Sequence, residues 1–93
     1  MRWKPYAAAA AAMVLLGGCS TLRTLEQART TLEMAREAGA EAKAPYELHK
    51  GQIFLEMAEH EKDEFDWRAA SEWAKVALDS ARQALEGAKG GSR

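Results

Sequence analysis

Few side chains in this chain could do chemistry: one cysteine, two histidines and four serines among 93 residues. His60 lies four residues after Glu56 and four before Glu64, so on a helix the three share a face. That spacing can hold a metal ion. The same stretch also carries Glu59, Glu61, Asp63 and Asp66 against a single Lys62, which is the composition of a solvated acidic face. No resident metal is expected there; a weak carboxylate–histidine site on an accessory subunit is the less favoured alternative. His49 reads as a surface residue. Ser20, Ser71, Ser80 and Ser92 all lack the strained strand–turn–helix setting of a serine nucleophile. Glycine pairs occur only at Gly17-Gly18 and Gly90-Gly91, so no loop cradles a phosphate. A formal charge of −1 gives no electrostatic case for nucleic acid. The expectation is a non-enzyme with no catalytic residues, no cofactor and no small-molecule substrate.

The single cysteine excludes an intramolecular disulfide and a thiolate zinc cluster, and its surroundings give it another meaning. Met1 to Tyr6 carries Arg2 and Lys4 and no acid, and Ala7 to Leu16 follows with ten uncharged, mostly apolar residues. A membrane-spanning helix needs roughly 20 apolar residues. A basic segment followed by a run this short is instead the pattern of a secretory signal peptide. The run ends in Leu16-Gly17-Gly18-Cys19, which resembles a bacterial lipobox. The resemblance implies lipidation of the Cys19 thiol, cleavage between Gly18 and Cys19, and acylation of the new amino terminus. Two or three acyl chains hold a protein durably to a membrane that it does not span. Ser20, and not aspartate, follows the cysteine; in Gram-negative lipoproteins that implies export to the outer membrane, facing the periplasm. Gly17-Gly18 should also break any helix running through this point.

The elements that carry these residues lie downstream. Residues 1–18 form the expected leader, 19–89 a helical domain anchored through Cys19, and 90–93 a flexible tail. The 75 mature residues lose two leader cations, leaving eleven cations against 14 acids and a formal charge of −3. Ile53 and Val76 are their only β-branched aliphatics, while alanine, leucine and glutamate abound, which favours helix over strand. A first helix over about Thr21–Lys43 places Leu22, Leu25, Ala28, Leu32, Ala35 and Gly39 on one stripe. Ala44-Pro45 interrupts it, and Pro45 suits the first turn of a second helix running to about Glu64. The stripe of that helix is Leu48, Gly51, Leu55, Ala58, Lys62 and Phe65, widened by Ile53, Phe54 and Met57. Gly51 implies a close backbone approach.

Asp66 is the expected N-cap of a third helix. Trp67, Ala70, Ala74, Ala77, Ala81, Ala84 and Ala88 step along one of its faces. Arg68, Glu72, Lys75, Asp79, Arg82, Glu86 and Lys89 lie nearly opposite, with mostly alternating charge. The fold class expected is all-α: a signal peptide followed by three antiparallel helices joined by short turns. Sixteen large apolar residues make a thin core for 75 residues, which favours self-association or a partner helix.

Ala44-Pro45-Tyr46-Glu47-Leu48, the Phe65-Asp66-Trp67 turn and the alanine steps from Ala70 to Ala81 resemble short bacterial lipoproteins. These carry an alanine-rich helical domain of unknown function, with glycine usual where Phe65 stands. The second and third helices also resemble a single tetratricopeptide hairpin, with Phe54, Met57 and Ala58 matching its first helix and Trp67, Ala70, Ala77 and Leu78 its second. Phe54, Phe65, Trp67 and Trp73 are the candidate partner-binding residues; their competing role is a core around the second turn. The expected function is a lipid-anchored helical adaptor or envelope-organising module with an unidentified envelope partner. The structural alternative is a coiled-coil oligomer resembling murein lipoprotein, although Pro45 and the Asp66 turn interrupt the single long helix it requires.

Overall fold

The computed structural model describes the backbone over residues 4–90 and the side chains from Gly18 to Gly90, so the expected tail falls mostly outside the described residues. The described residues are all-helical: α1 (Lys4–Glu37), α2 (Ala40–Lys43), α3 (Pro45–Asp63) and α4 (Trp67–Ala88). Two expectations about the first helix need correction. It does not break at Gly17-Gly18 but runs unbroken through both glycines from Lys4. Each glycine costs about 1 kcal/mol against alanine, yet neither blocks the backbone ladder, and the helix already established before them carries through. The helix also stops at Glu37, not Lys43. Gly39 takes the left-handed conformation at φ 96°, and a separate single turn, α2, follows. The downstream body thus has four helices where three were expected.

Ala44 leaves helical geometry at φ −144°, as the residue before a proline tends to. Pro45 then opens α3, where its missing N–H is not needed. At the other end of α3 the chain makes a Schellman motif: the Phe65 N–H donates to the Lys62 carbonyl and the Asp66 N–H to the Glu61 carbonyl, both at 2.9 Å. The left-handed position of that motif favours glycine, and here Phe65 occupies it at φ 62°. Asp66 caps α4 as expected, its Oδ1 accepting from the Ala69 N–H at 3.1 Å.

α4 is the element against which α1 and α3 both pack, while α1 and α3 meet each other less closely. Its alanine face explains this. Ala70, Ala74, Ala77, Ala81, Ala84 and Ala88 are all buried, and the seven charged residues opposite are all exposed. Without bulky side chains the neighbouring backbones come close. A Cβ built on Gly51 of α3 would lie 2.9 Å from Leu32 Cδ2 of α1 and 3.4 Å from backbone atoms of Ala77 and Ala81. Glycine at position 51 thus leaves room for the Leu32 terminal methyl, which a Cβ would push aside.

Buried residues fall into layers along the bundle. Leu25, Ala58 and Ala74 form one, Ala28, Ala77 and Leu78 the next, and Leu32, Ala35, Leu48, Ala81 and Ala84 the largest, with Ala40 and Ala44 of the turn. The order of these pairings makes α1 and α4 run in the same direction and α3 opposite to both. The expected stripes were too wide in four places, one of them Phe65, which lies exposed beyond the end of α3. Leu22, Ile53 and Met57 face outward, because α1 and α3 each meet α4 along a narrow seam of small residues.

Candidate functional site

Cys19 is an exposed free thiol on α1. Gly18, just before it, is buried, and its cover is the indole of Trp67: a Cβ at Gly18 would lie 3.6 Å from Trp67 Cε2 and Cζ2. Those are ordinary van der Waals distances, so the packing would accept a Cβ there. Trp67 is the first residue of α4, and the α3–α4 turn therefore sits at the same end of the bundle as Cys19. The part of α1 before Gly18 runs on past that end. Consistent with this, the long axis of the molecule is 62 Å, against roughly 33 Å for the 22 residues of α4 at 1.5 Å each.

This end is lined by apolar surface that the chain itself does not cover. Phe65 is 79% exposed, and Leu22, one turn on from Cys19, is 47% exposed. Thr21 beside them is buried, while the Thr24 hydroxyl donates to the Ser20 carbonyl at 3.1 Å, a bond within α1. Asp63, Glu64 and Asp66 flank Phe65 and are exposed. The Lys62 ammonium lies 3.6 Å from the Asp63 carboxylate.

The four aromatic candidates separate into two pairs. Phe65 and Trp67 lie at the Cys19 end. Phe54 and Trp73 pack on each other in the body of the bundle, with ring centroids 5.4 Å apart and planes tilted by 43°. Both are half-buried, Phe54 against Ala28, Ala77 and Leu78 and Trp73 against Leu25, Ala58 and Ala74. These two do the packing work of a core and are not brought to the same surface as the others.

The histidine cluster does not assemble. His60 Nε2 lies 3.8 Å from Glu64 Oε2, both side chains largely exposed, and Glu56, also exposed, does not join them. Among the described residues, no group of three or more histidine, cysteine, aspartate or glutamate side chains is placed to share a metal ion. His49 is exposed, on an open groove with Tyr46, Ile53 and Phe54.

The residue that sequence inspection missed is Arg29. Its guanidinium donates to Glu59 across the α1–α3 seam and to Glu26 at 2.7 Å within α1. The hydrogen bond to the Glu59 carboxylate is the main reason its pKa is raised, and partial burial works against that. Along the same seam the Gln52 amide oxygen can accept from Arg36. Its spacing from Glu26 is local, but nothing local marks the pairing with Glu59, 30 residues away. The alternating charges on α4, in contrast, form no ion pairs with one another among the described residues; Asp79 instead accepts from Gln83 Nε2 at 2.9 Å.

No helix among the described residues is long and apolar enough to cross a membrane. Comparison of the chain with protein-family models, curated proteins and solved structures finds no match.

Proposed function

We propose that the chain is a non-enzymatic lipoprotein of the bacterial cell envelope, held to the periplasmic face of the outer membrane by lipid on Cys19. The observation that carries this reading is Leu16-Gly17-Gly18-Cys19, placed directly after a basic segment and a short apolar run. Cys19 is exposed, as a lipid acceptor must be. The fold does not demand glycine at position 18, since the space over it would take a Cβ. A peptidase that admits only small residues ahead of the cysteine accounts for it better. The paired glycines also make this the most easily unwound point of α1, where an extended substrate must be presented to a peptidase.

Behind the anchor, the body serves as a helical adaptor whose α3 and α4 form a hairpin of the tetratricopeptide kind. The exposed faces of α1 and α3 offer docking surface to an envelope protein. A body folded back at Gly39 and again at Phe65 supports this role over the continuous rod of a murein-lipoprotein-like oligomer. Ser20 after the cysteine supports outer-membrane delivery.

The test is mass spectrometry of the protein purified from cell membranes, together with a Cys19→Ala variant. An amino terminus at Cys19 carrying acyl mass, and an uncleaved or mislocalised Cys19→Ala precursor, are expected. Unmodified Cys19, or normal membrane fractionation of the variant, would refute the anchor.

A further inference from the structure

We propose that the α3–α4 turn is a membrane-contact surface, in which Phe65 and Trp67 seat the Cys19 end of the bundle in the headgroup region of an electrically neutral bilayer. This rests on the lipid anchor proposed above and adds a second, non-covalent contact to it.

The first support is the turn itself. Phe65 combines two costs that its own chain does not repay. A non-glycine residue in the left-handed region is disfavoured by about 1–2 kcal/mol, and Phe65 sits there at φ 62°. It also leaves most of its ring in water, at 79% exposure. The Schellman motif commonly buries an apolar contact between the residue after its left-handed position and the start of the last turn; here those residues are Asp66 and Glu61, so the motif gains nothing from that source. Most of the ring's apolar area is therefore left for a contact outside the described fold.

The second support is the cover on Trp67. In the uncleaved chain its indole lies over Gly18. Cleavage before Cys19 removes residues 1–18 and bares that face of the ring. The new terminal residue, Cys19, is the one that receives the lipid, so the anchor attaches next to the residue that the indole covered. Tryptophan favours the membrane–water boundary, where an apolar ring body and a polar N–H are both satisfied. Leu22, 47% exposed on the same end, extends the apolar surface.

The charges set the depth and choose the lipid. Asp63, Glu64 and Asp66 flank Phe65 and outnumber the cations of the turn, Lys62, held to Asp63, and the exposed Arg68. Carboxylates resist burial in hydrocarbon and are repelled by anionic headgroups. The turn therefore rests at headgroup level and prefers zwitterionic to anionic lipid. The same contact fixes the bundle end-on, with the Gly39 turn pointing away from the membrane.

The test uses the processed protein purified from membranes, its acylation of Cys19 read by mass spectrometry. It is reconstituted in phosphatidylcholine vesicles whose acyl chains are brominated near the headgroup. Trp67 and Trp73 are the only tryptophans of the processed chain, so Trp73→Phe leaves Trp67 as sole reporter and Trp67→Phe leaves Trp73. Bromine quenching at least about threefold stronger for Trp67 than for Trp73 is expected of an interfacial ring. Phe65→Ser should reduce Trp67 quenching by about half while helicity by circular dichroism stays unchanged. Equal quenching of the two tryptophans, or no response to Phe65→Ser, on acylated protein overturns the membrane contact and leaves the anchor standing. Unacylated Cys19 overturns both. Undiminished quenching on vesicles half composed of phosphatidylglycerol overturns the preference for neutral lipid.

Discussion

The two ends of the bundle solve the same geometrical problem in opposite ways. Each must turn the chain back between long helices, and each uses one residue in the left-handed conformation. At the end away from Cys19 that residue is Gly39, which accepts φ 96° without a Cβ penalty. Ala40 and Ala44 around it are buried in the largest core layer, with Leu32 and Leu48. At the Cys19 end the residue is Phe65, strained and exposed, among carboxylates, and the nearest layer holds only Leu25, Ala58 and Ala74. The Gly39 end satisfies the backbone rule and buries its turn alanines, although Met34 and Tyr46 beside it are exposed. The other breaks that rule at Phe65, at the end that carries the one thiol in the chain. Among the described residues, only the Cys19 end joins a strained non-glycine backbone position to an exposed ring.

The contrast can be broken first by core truncation. Leu32→Ala, in the well-packed layers, is expected to cost about 2–5 kcal/mol. Leu22→Ala at the Cys19 end, already 47% exposed, is expected to cost at most about 1 kcal/mol. Urea unfolding of the full chain measures both, and equal losses would mean that the two ends are packed alike.

The next test exchanges the two turn residues. Gly39→Ala forces a Cβ into the left-handed region and is expected to lower stability by about 1–2 kcal/mol. Phe65→Gly removes the same penalty and is expected to raise stability by up to about 1 kcal/mol, part of the gain being offset by the freer unfolded chain. A fall in the melting midpoint with Phe65→Gly would show that the ring is held by the fold after all.

The smallest effect belongs to the middle of the molecule. Arg29→Gln removes the ion pairs with Glu59 and Glu26, which are largely exposed and worth about 0.2–1 kcal/mol. The loss should shrink further in high salt. A salt-independent loss above 2 kcal/mol, by contrast, would make the α1–α3 seam a principal support of the fold.

Most of the helical architecture is legible in the residues. The alanine steps of α4 and the charges opposite them are local periodicities, and every member lies on the expected side. Asp66 as a cap, Pro45 at a first turn and Gly51 at a close approach follow from the chemistry of single residues. The errors arise where one face of a helix has two candidate neighbours. Ile53 and Met57 are as apolar as Leu55, yet they lie outside the seam that α3 shares with α4, and the width of that seam depends on both helices. Gly17-Gly18 misled for a different reason: about 1 kcal/mol per glycine is too little to stop a helix well formed on both sides.

The candidate site divides along the same line. By itself the sequence determines the chemistry available: one thiol, its small-residue approach and the absence of any repeat or motif that assembles a catalytic group. Those are properties of adjacent residues. Only the tertiary structure decides that Phe65 and Trp67 stand at the Cys19 end while Phe54 and Trp73 stack within the body. The turn that brings residue 67 against residue 18 closes a separation of 49 positions, and no local pattern encodes that. It is set by the length of α3 relative to α1, by close packing on the alanines of α4, and by a backbone conformation at Phe65 that its side chain disfavours.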